Sequence, residues 1–150
     1  MRMYTLANVL ANAPPGVYRL VGEHATTAVP ALCHAKHIEL LRASGGRVRS
    51  KKRCLAVLAR AFGLPGWFGM NWDALADSLT DCAWPPRSTH VLLLSRFRAF
   101  AKHAPLDFAA ACAVLEDAAS FWAEHSVRFF VLIEANDLPR SVRLPAVYLR

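Results

Sequence analysis

The chain has 150 residues, 55% of them hydrophobic, and carries 18 Lys and Arg against 11 Asp and Glu, for a formal net charge of +7 and a pI near 9.8. That length suits one domain with a single substantial core, and no apolar run approaches the roughly 20 residues of a membrane-spanning helix. The basic balance raises nucleic acid as a partner, whereas Cys33, Cys54, Cys82 and Cys112, with no C-x-x-C pair and no histidine at ligand spacing, argue against zinc.

The opening MRMYTLANVLANAPPG sets Arg2 before an apolar stretch, but Asn8 and Asn12 interrupt it, which argues against an export signal. After Pro14 and Pro15, residues 16–21 alternate with β-branched and aromatic side chains and read as a short strand. Residues 23–36 are ambiguous, because Thr26, Thr27 and Pro30 argue against a long helix. His37 to Leu41 reads as the first core strand, closed by the turn signal Ser44-Gly45-Gly46. Ser50 is placed to cap a helix running to about Phe62, with Leu55, Leu58, Ala59 and Phe62 on one face and Gly63 and Pro65 as the stop. Arg47, Arg49, Lys51, Lys52 and Arg53 crowd the start of that helix, where each cation opposes the macrodipole by about a few tenths of a kcal/mol. Helix stability does not explain the cluster; it reads as a solvated face or as a phosphate-binding one.

Leu64 to Met70 is a loop with two aromatics, and Asn71 is suited to cap the next helix, which Pro85-Pro86 ends. The stretch from Leu64 to Pro86 holds no Lys or Arg but has Asp73, Asp77 and Asp81 spaced by four, so a helix stacks them on one face and sets Trp72, Leu75, Leu79 and Cys82 on another. Like charges at that spacing cost an isolated helix roughly 0.2–0.5 kcal/mol per pair, a repulsion that a cationic partner would offset. Val91 to Leu94 reads as a strand buried on both faces, Ser95 to His103 as a short helix broken by Pro105, and Asp107 to about Glu124 as the best helical period in the chain. Val127 to Ile133 is a second buried strand, Asn136 to Pro139 a turn, and Val147 to Leu149 either an edge strand or a loose tail. Strands near 37–42, 90–94 and 127–133 separated by helices make an α/β domain with a small parallel sheet of about three strands covered by helices.

Cys54, Cys82 and Cys112 fall beside apolar residues in predicted helices and read as reduced, buried thiols, which implies a cytoplasmic protein. The six histidines are scattered, Gly45-Gly46 is too short to cradle phosphate, and nothing near Asp73 and Asp77 would raise a carboxylate pKa. The expectation is a protein that is not an enzyme, with no catalytic residue, metal ligand or cofactor.

Leu64-Pro65, Trp67-Phe68, Gly69, then Asn71-x-Asp73-Ala74-Leu75-x-Asp77-x-Leu79-Thr80 resembles the signature of the barstar family, small intracellular inhibitors of barnase-type ribonucleases. The resemblance implies a barstar-like domain over residues 37–134, an N-terminal extension over 1–36 with room for an extra strand, and a C-terminal tail over 135–150. It implies, too, a protein that is monomeric when free and needs no membrane, and that acts as an inhibitor, immunity protein or antitoxin by blocking a nuclease with a basic active site. Carboxylates would stand in for the substrate's phosphates. By that resemblance Asp77 reaches deepest among the partner's cations, Asp73 pairs with an arginine and Trp67 packs against the partner. Gly69 and Asn71 shape the loop, and Thr80 sits near the interface end of the helix.

The resemblance departs in three places: Ala76 stands where the family commonly has tryptophan, Ser120 where a further acid contributes, and the chain is basic where the family's inhibitors are acidic. Trp84 is the residue able to replace the missing indole as an anchor. Two alternatives follow, a barstar-fold binding module with a non-nuclease partner and an RNA-binding protein using Arg47 to Arg53.

Overall fold

A computed structural model of the chain describes residues 5–65 and 69–149. Its elements in order are α1 (Leu6–Asn12), β1 (Val17–Val21), α2 (Ala25–Ala35), β2 (Glu39–Ser44), α3 (Lys51–Ala61), α4 (Trp72–Leu79), β3 (Thr89–Ser95), α5 (Arg98–His103), α6 (Pro105–Glu124), β4 (Arg128–Glu134) and β5 (Ala146–Tyr148), with a 3-10 turn at Ala135–Asp137 before β5. The strands form one five-stranded sheet in the order β2-β3-β4-β1-β5, every neighbouring pair parallel.

The period of two along the central strands divides the interior into two layers. Leu92 and Leu94 of β3 and Phe129, Val131 and Ile133 of β4 face α3, α4, α5 and α6. Val91 and Leu93, with Phe130 and Leu132, point the other way onto α1 and α2. Phe129 and Phe130 are neighbours in sequence and both are fully buried, which requires cover on both faces. Each such side chain contributes about 1.5–3 kcal/mol on leaving water.

The expected α/β class and parallel sheet are present, with five strands where about three were expected. The short strand read at 16–21 is β1, and it inserts between β4 and β5; Val17 pairs with Val131 and Leu20 with Glu134. Helix α1 falls on the interrupted apolar stretch near the N-terminus and is capped by Thr5, whose hydroxyl accepts from Asn8 N–H. The guanidinium of Arg128 donates to the carbonyls of Leu10 and Ala13 at the other end of α1.

Helix α2 runs eleven residues through Pro30, in the segment where Thr26, Thr27 and Pro30 argue against a long helix. Proline at that position leaves the carbonyl of Thr26 without its helical donor, and Arg42 of the neighbouring β2 donates to that oxygen at 3.2 Å. Ser50 caps α3 by accepting from Arg53 N–H, and Gly63, at φ +64°, ends it in the left-handed region that glycine enters without strain.

Candidate functional site

Helix α4 begins at Asn71, whose Oδ1 accepts from Ala74 N–H at 2.7 Å. It runs only eight residues and ends at Leu79, well before the proline pair that was expected to stop it. Its last carbonyls are taken by side chains: Thr80 Oγ1 donates toward Ala76 and Asp77, Cys82 Sγ toward Ser78, and the buried indole N–H of Trp122 to Leu79 at 2.9 Å. The chain turns away there, so Cys82 lies beyond the helix rather than in it, and Asp81 extends the ladder from outside it. Asp73 lies in the favourable first turn, whereas Asp77 and Asp81 sit at the negative end of the dipole, which carries no compensating cation.

Leu75 and Leu79 are fully buried and Trp72 is half-buried against the same core, with Lys51 Nζ 5.8 Å from the centre of its ring. The opposite face borders an open groove of about 900 Å³, lined by Glu39, Arg60, Phe62, Leu64, Gly69, Ala74, Asp77, Ser78, Asp81 and Trp84 among others. The groove brings together Gly69, Asp77 and Trp84 of the expected partner-binding residues. Asn71, Asp73, Ala76 and Thr80 are outside its wall: Asn71 and Thr80 are helix caps, Ala76 is half-buried, and Asp73 is exposed one turn above Asp77. Trp67 lies outside the described residues. Among the described residues, Asp73, Asp77 and Asp81 make no ion pair.

Sequence reasoning named Trp84 but missed the polar row beneath it. Trp84 is half-buried, stacked on the imidazole of His90 at 4.0 Å and packed against Phe62, Trp122 and Phe129. His90 Nδ1 is 3.1 Å from Glu39 Oε1 and its Nε2 is 2.7 Å from Ser88 Oγ. Burial holds the imidazole below its usual range, against the opposing pull of the Glu39 carboxylate. The Ser88–His90–Glu39 row has the spacing of a hydrolase relay, but the backbone donors beside it are spent: Ser88 N–H goes to Pro85 and Arg87 N–H to Ser126. The row fastens the loop before β3 to the edge strand β2. No sequence spacing joins Glu39 to His90, because the pairing of β2 with β3 sets them opposite each other.

Glu116, one of the acids near the family's further acidic position, accepts from Val17 N–H at 2.9 Å and docks β1 onto α6. All four thiols are unpaired, and burial pushes Cys33 and Cys82 up to about 11 and Cys54 and Cys112 up to about 12. Among the described residues no cluster of His, Cys, Asp and Glu is arranged to hold a metal ion, and no helix is long and apolar enough to cross a membrane.

No curated protein matches the chain by sequence. Among solved structures, a chain of the Drosophila ORC bound to DNA aligns with 89% of this chain and 36% of its own length, at 16% identity and a TM-score of 0.49, a likeness too slight to carry an argument. A sequence profile described as Barstar (barnase inhibitor) matches residues 38–134. That span runs from the strand bearing Glu39, through the acidic helix, to the last residue of β4, and it makes up more than half of the chain. The extent of that match settles the kinship: the chain belongs to the barstar family.

Proposed function

We propose that this protein is an intracellular inhibitor that binds a nuclease, in particular a ribonuclease, and blocks its active site with α4 and the loop before it. The observation that carries the reading is the groove wall itself. Asp77 and Asp81 stand exposed at the negative end of a helix, with Glu39 across from them and Arg60 as the cation in the wall, and neither aspartate is ion-paired within the described chain. Such an arrangement is unfavourable in the free protein and becomes favourable when Arg, Lys or His side chains of a phosphate-binding site enter it. Trp84 supplies aromatic surface in the same groove wall as the carboxylates, whereas Ala76, outside that wall, supplies none. The assigned contacts are Asp77 and Asp73 for the cations, Trp67 and Trp84 for apolar contact, Gly69 and Asn71 for loop shape, and Ala76 and Thr80 for the adjoining surface. The free protein is monomeric and cytoplasmic in this reading.

The test is a titration of RNA cleavage by barnase-type ribonucleases, among them any nuclease encoded beside this gene, with wild-type protein and Asp77→Ala. The expected result is one-to-one inhibition that Asp77→Ala weakens by roughly 2–5 kcal/mol, since truncation leaves the partner's cation buried and unpaired. Cleavage untouched by a large excess of wild type, or equal inhibition by the variant, sinks the proposal. A non-nuclease partner captured through the same groove would replace the nuclease and keep the surface.

A further inference from the structure

The acidic groove lies at the amino-terminal end of β2, where Glu39 is the first residue. At the carboxyl end of the same strand, about 17 Å away at ~3.3 Å per residue, the charge has the opposite sign. The loop after β2 carries Arg47 and Arg49; the loop after β3 carries Arg96, followed on α5 by Arg98 and Lys102, one helical turn apart, and His103. The parallel pairing of Ser44 with Ser95 brings these two sequence-distant clusters to one edge.

The join is tight. A Cβ built on Gly45 would fall 2.7 Å from the buried Phe97 ring, so glycine there lets the two loops lie against each other, and Gly46 lies beside the guanidinium of Arg96. Arg96 itself is held at φ +61°. Gly46, Arg96, Arg98, Lys102, His103 and Asp137 line a shallow depression of about 430 Å³. Its cations are exposed, and none is ion-paired among the described residues.

We propose that this edge is a binding site for single-stranded RNA, distinct from the nuclease-binding groove and independent of it. The depression exposes no aromatic and no large apolar side chain of its own, so it lacks the anchors a protein partner would need and binds through charge and hydrogen bonds to phosphodiesters. A concave site of this volume takes one or two nucleotides of a flexible strand, with Arg47 and Arg49 meeting the neighbouring phosphates. Asp137 is the acid of the depression: one carboxylate oxygen accepts from Phe97 N–H at 3.3 Å, and in this proposal the other accepts from a ribose 2′-hydroxyl, the group that separates RNA from DNA. Arg47 and Arg49, the two cations of that cluster that precede α3, thereby acquire a use.

The experiment is fluorescence anisotropy of the full chain with a labelled single-stranded RNA, the DNA of the same sequence, and anionic phospholipid vesicles. RNA should bind with steep salt dependence and more tightly than DNA. The combined change Arg96→Gln, Arg98→Gln, Lys102→Gln should weaken RNA binding roughly tenfold or more and reduce the salt slope by about 2, at about 0.7 per cation. Arg47→Gln with Arg49→Gln, on the exposed loop, should act in the same direction, and melting curves verify that each variant is folded. Asp137→Asn should narrow the gap between RNA and DNA, and Asp77→Ala should leave RNA binding unchanged. No RNA binding by folded wild type at about 50 mM salt, undiminished binding by the folded variants, equal affinity for DNA, or binding to vesicles alone through the 87%-exposed Leu106 would each overturn the proposal. Loss of inhibition with RNA binding intact would count against the nuclease reading alone.

Discussion

Among the described residues, His90 is the polar side chain that the interior encloses, 5% exposed, and its surroundings set a measurable dependence on pH. The unfolded chain takes up a proton at His90 near pH 6.5, whereas the folded chain resists it because burial disfavours the imidazolium more than Glu39 favours it. Below about pH 6.5 the unfolded state therefore holds more protons than the folded one, so the neutral ring's contribution is complete above about 6.5 and is lost as pH falls below it. Melting curves from pH 7.5 down to 5.5 should show wild type losing more stability than His90→Gln; parallel curves would remove His90 as the source. At this scale the sequence was informative wherever a residue acts on its own neighbours. Asn71, Ser50 and Gly63 do what their positions announce, because capping is decided within three or four residues. Glu39, Ser88 and His90 were invisible, since strand pairing assembles them and no local spacing records it.

Helix α4 shows how an element can be legible in its beginning and not in its end. Its start depends on Asn71, but its finish depends on Trp122, more than forty positions along the chain, whose indole N–H satisfies the Leu79 carbonyl. Trp122→Phe keeps a ring in the cluster with Trp84 and Phe121 while removing that donor, and should destabilise the protein by about 1–3 kcal/mol for the stranded buried carbonyl, plus whatever packing is lost. Chemical denaturation measures this, and an unchanged midpoint would show that another donor reaches Leu79. The same contrast applies to α2, where Pro30 with Thr26 and Thr27 argues against a long helix and Arg42 on β2 supplies the missing donor. Buried-strand runs at β3 and β4 were legible because apolar residues on both faces leave few other readings. Helix α1 was missed because seven residues hold too few repeats of any period.

For the whole molecule, the family match ends at residue 38 on one side and 134 on the other, yet the sheet continues past both limits through β1 and β5. Residues 5–36 also bring α1 and α2, which cover Val91, Leu93, Phe130 and Leu132. A chain cut to residues 37–134 would expose those side chains and leave β4 an open edge, so it should be recovered aggregated or unfolded, whereas the full chain melts cooperatively. A sharp melt from the shortened chain would show that the matched segment stands alone. Acidic residues at one end of β2 and basic ones at the other explain how a chain of net charge +7 can still present a locally acidic groove. The position of β1 bears, in addition, on how the protein is made. This strand is synthesised before β2, β3 and β4, but the partner that meets Val17 is Val131, and its other neighbour, β5, is made later still. Until β4 has left the ribosome, Tyr18 and Leu20 have no ladder to join, and the second layer of the core cannot close. Such long-range parallel pairing makes this step of folding slow, because the loop closure between β1 and β4 must precede the contacts that reward it.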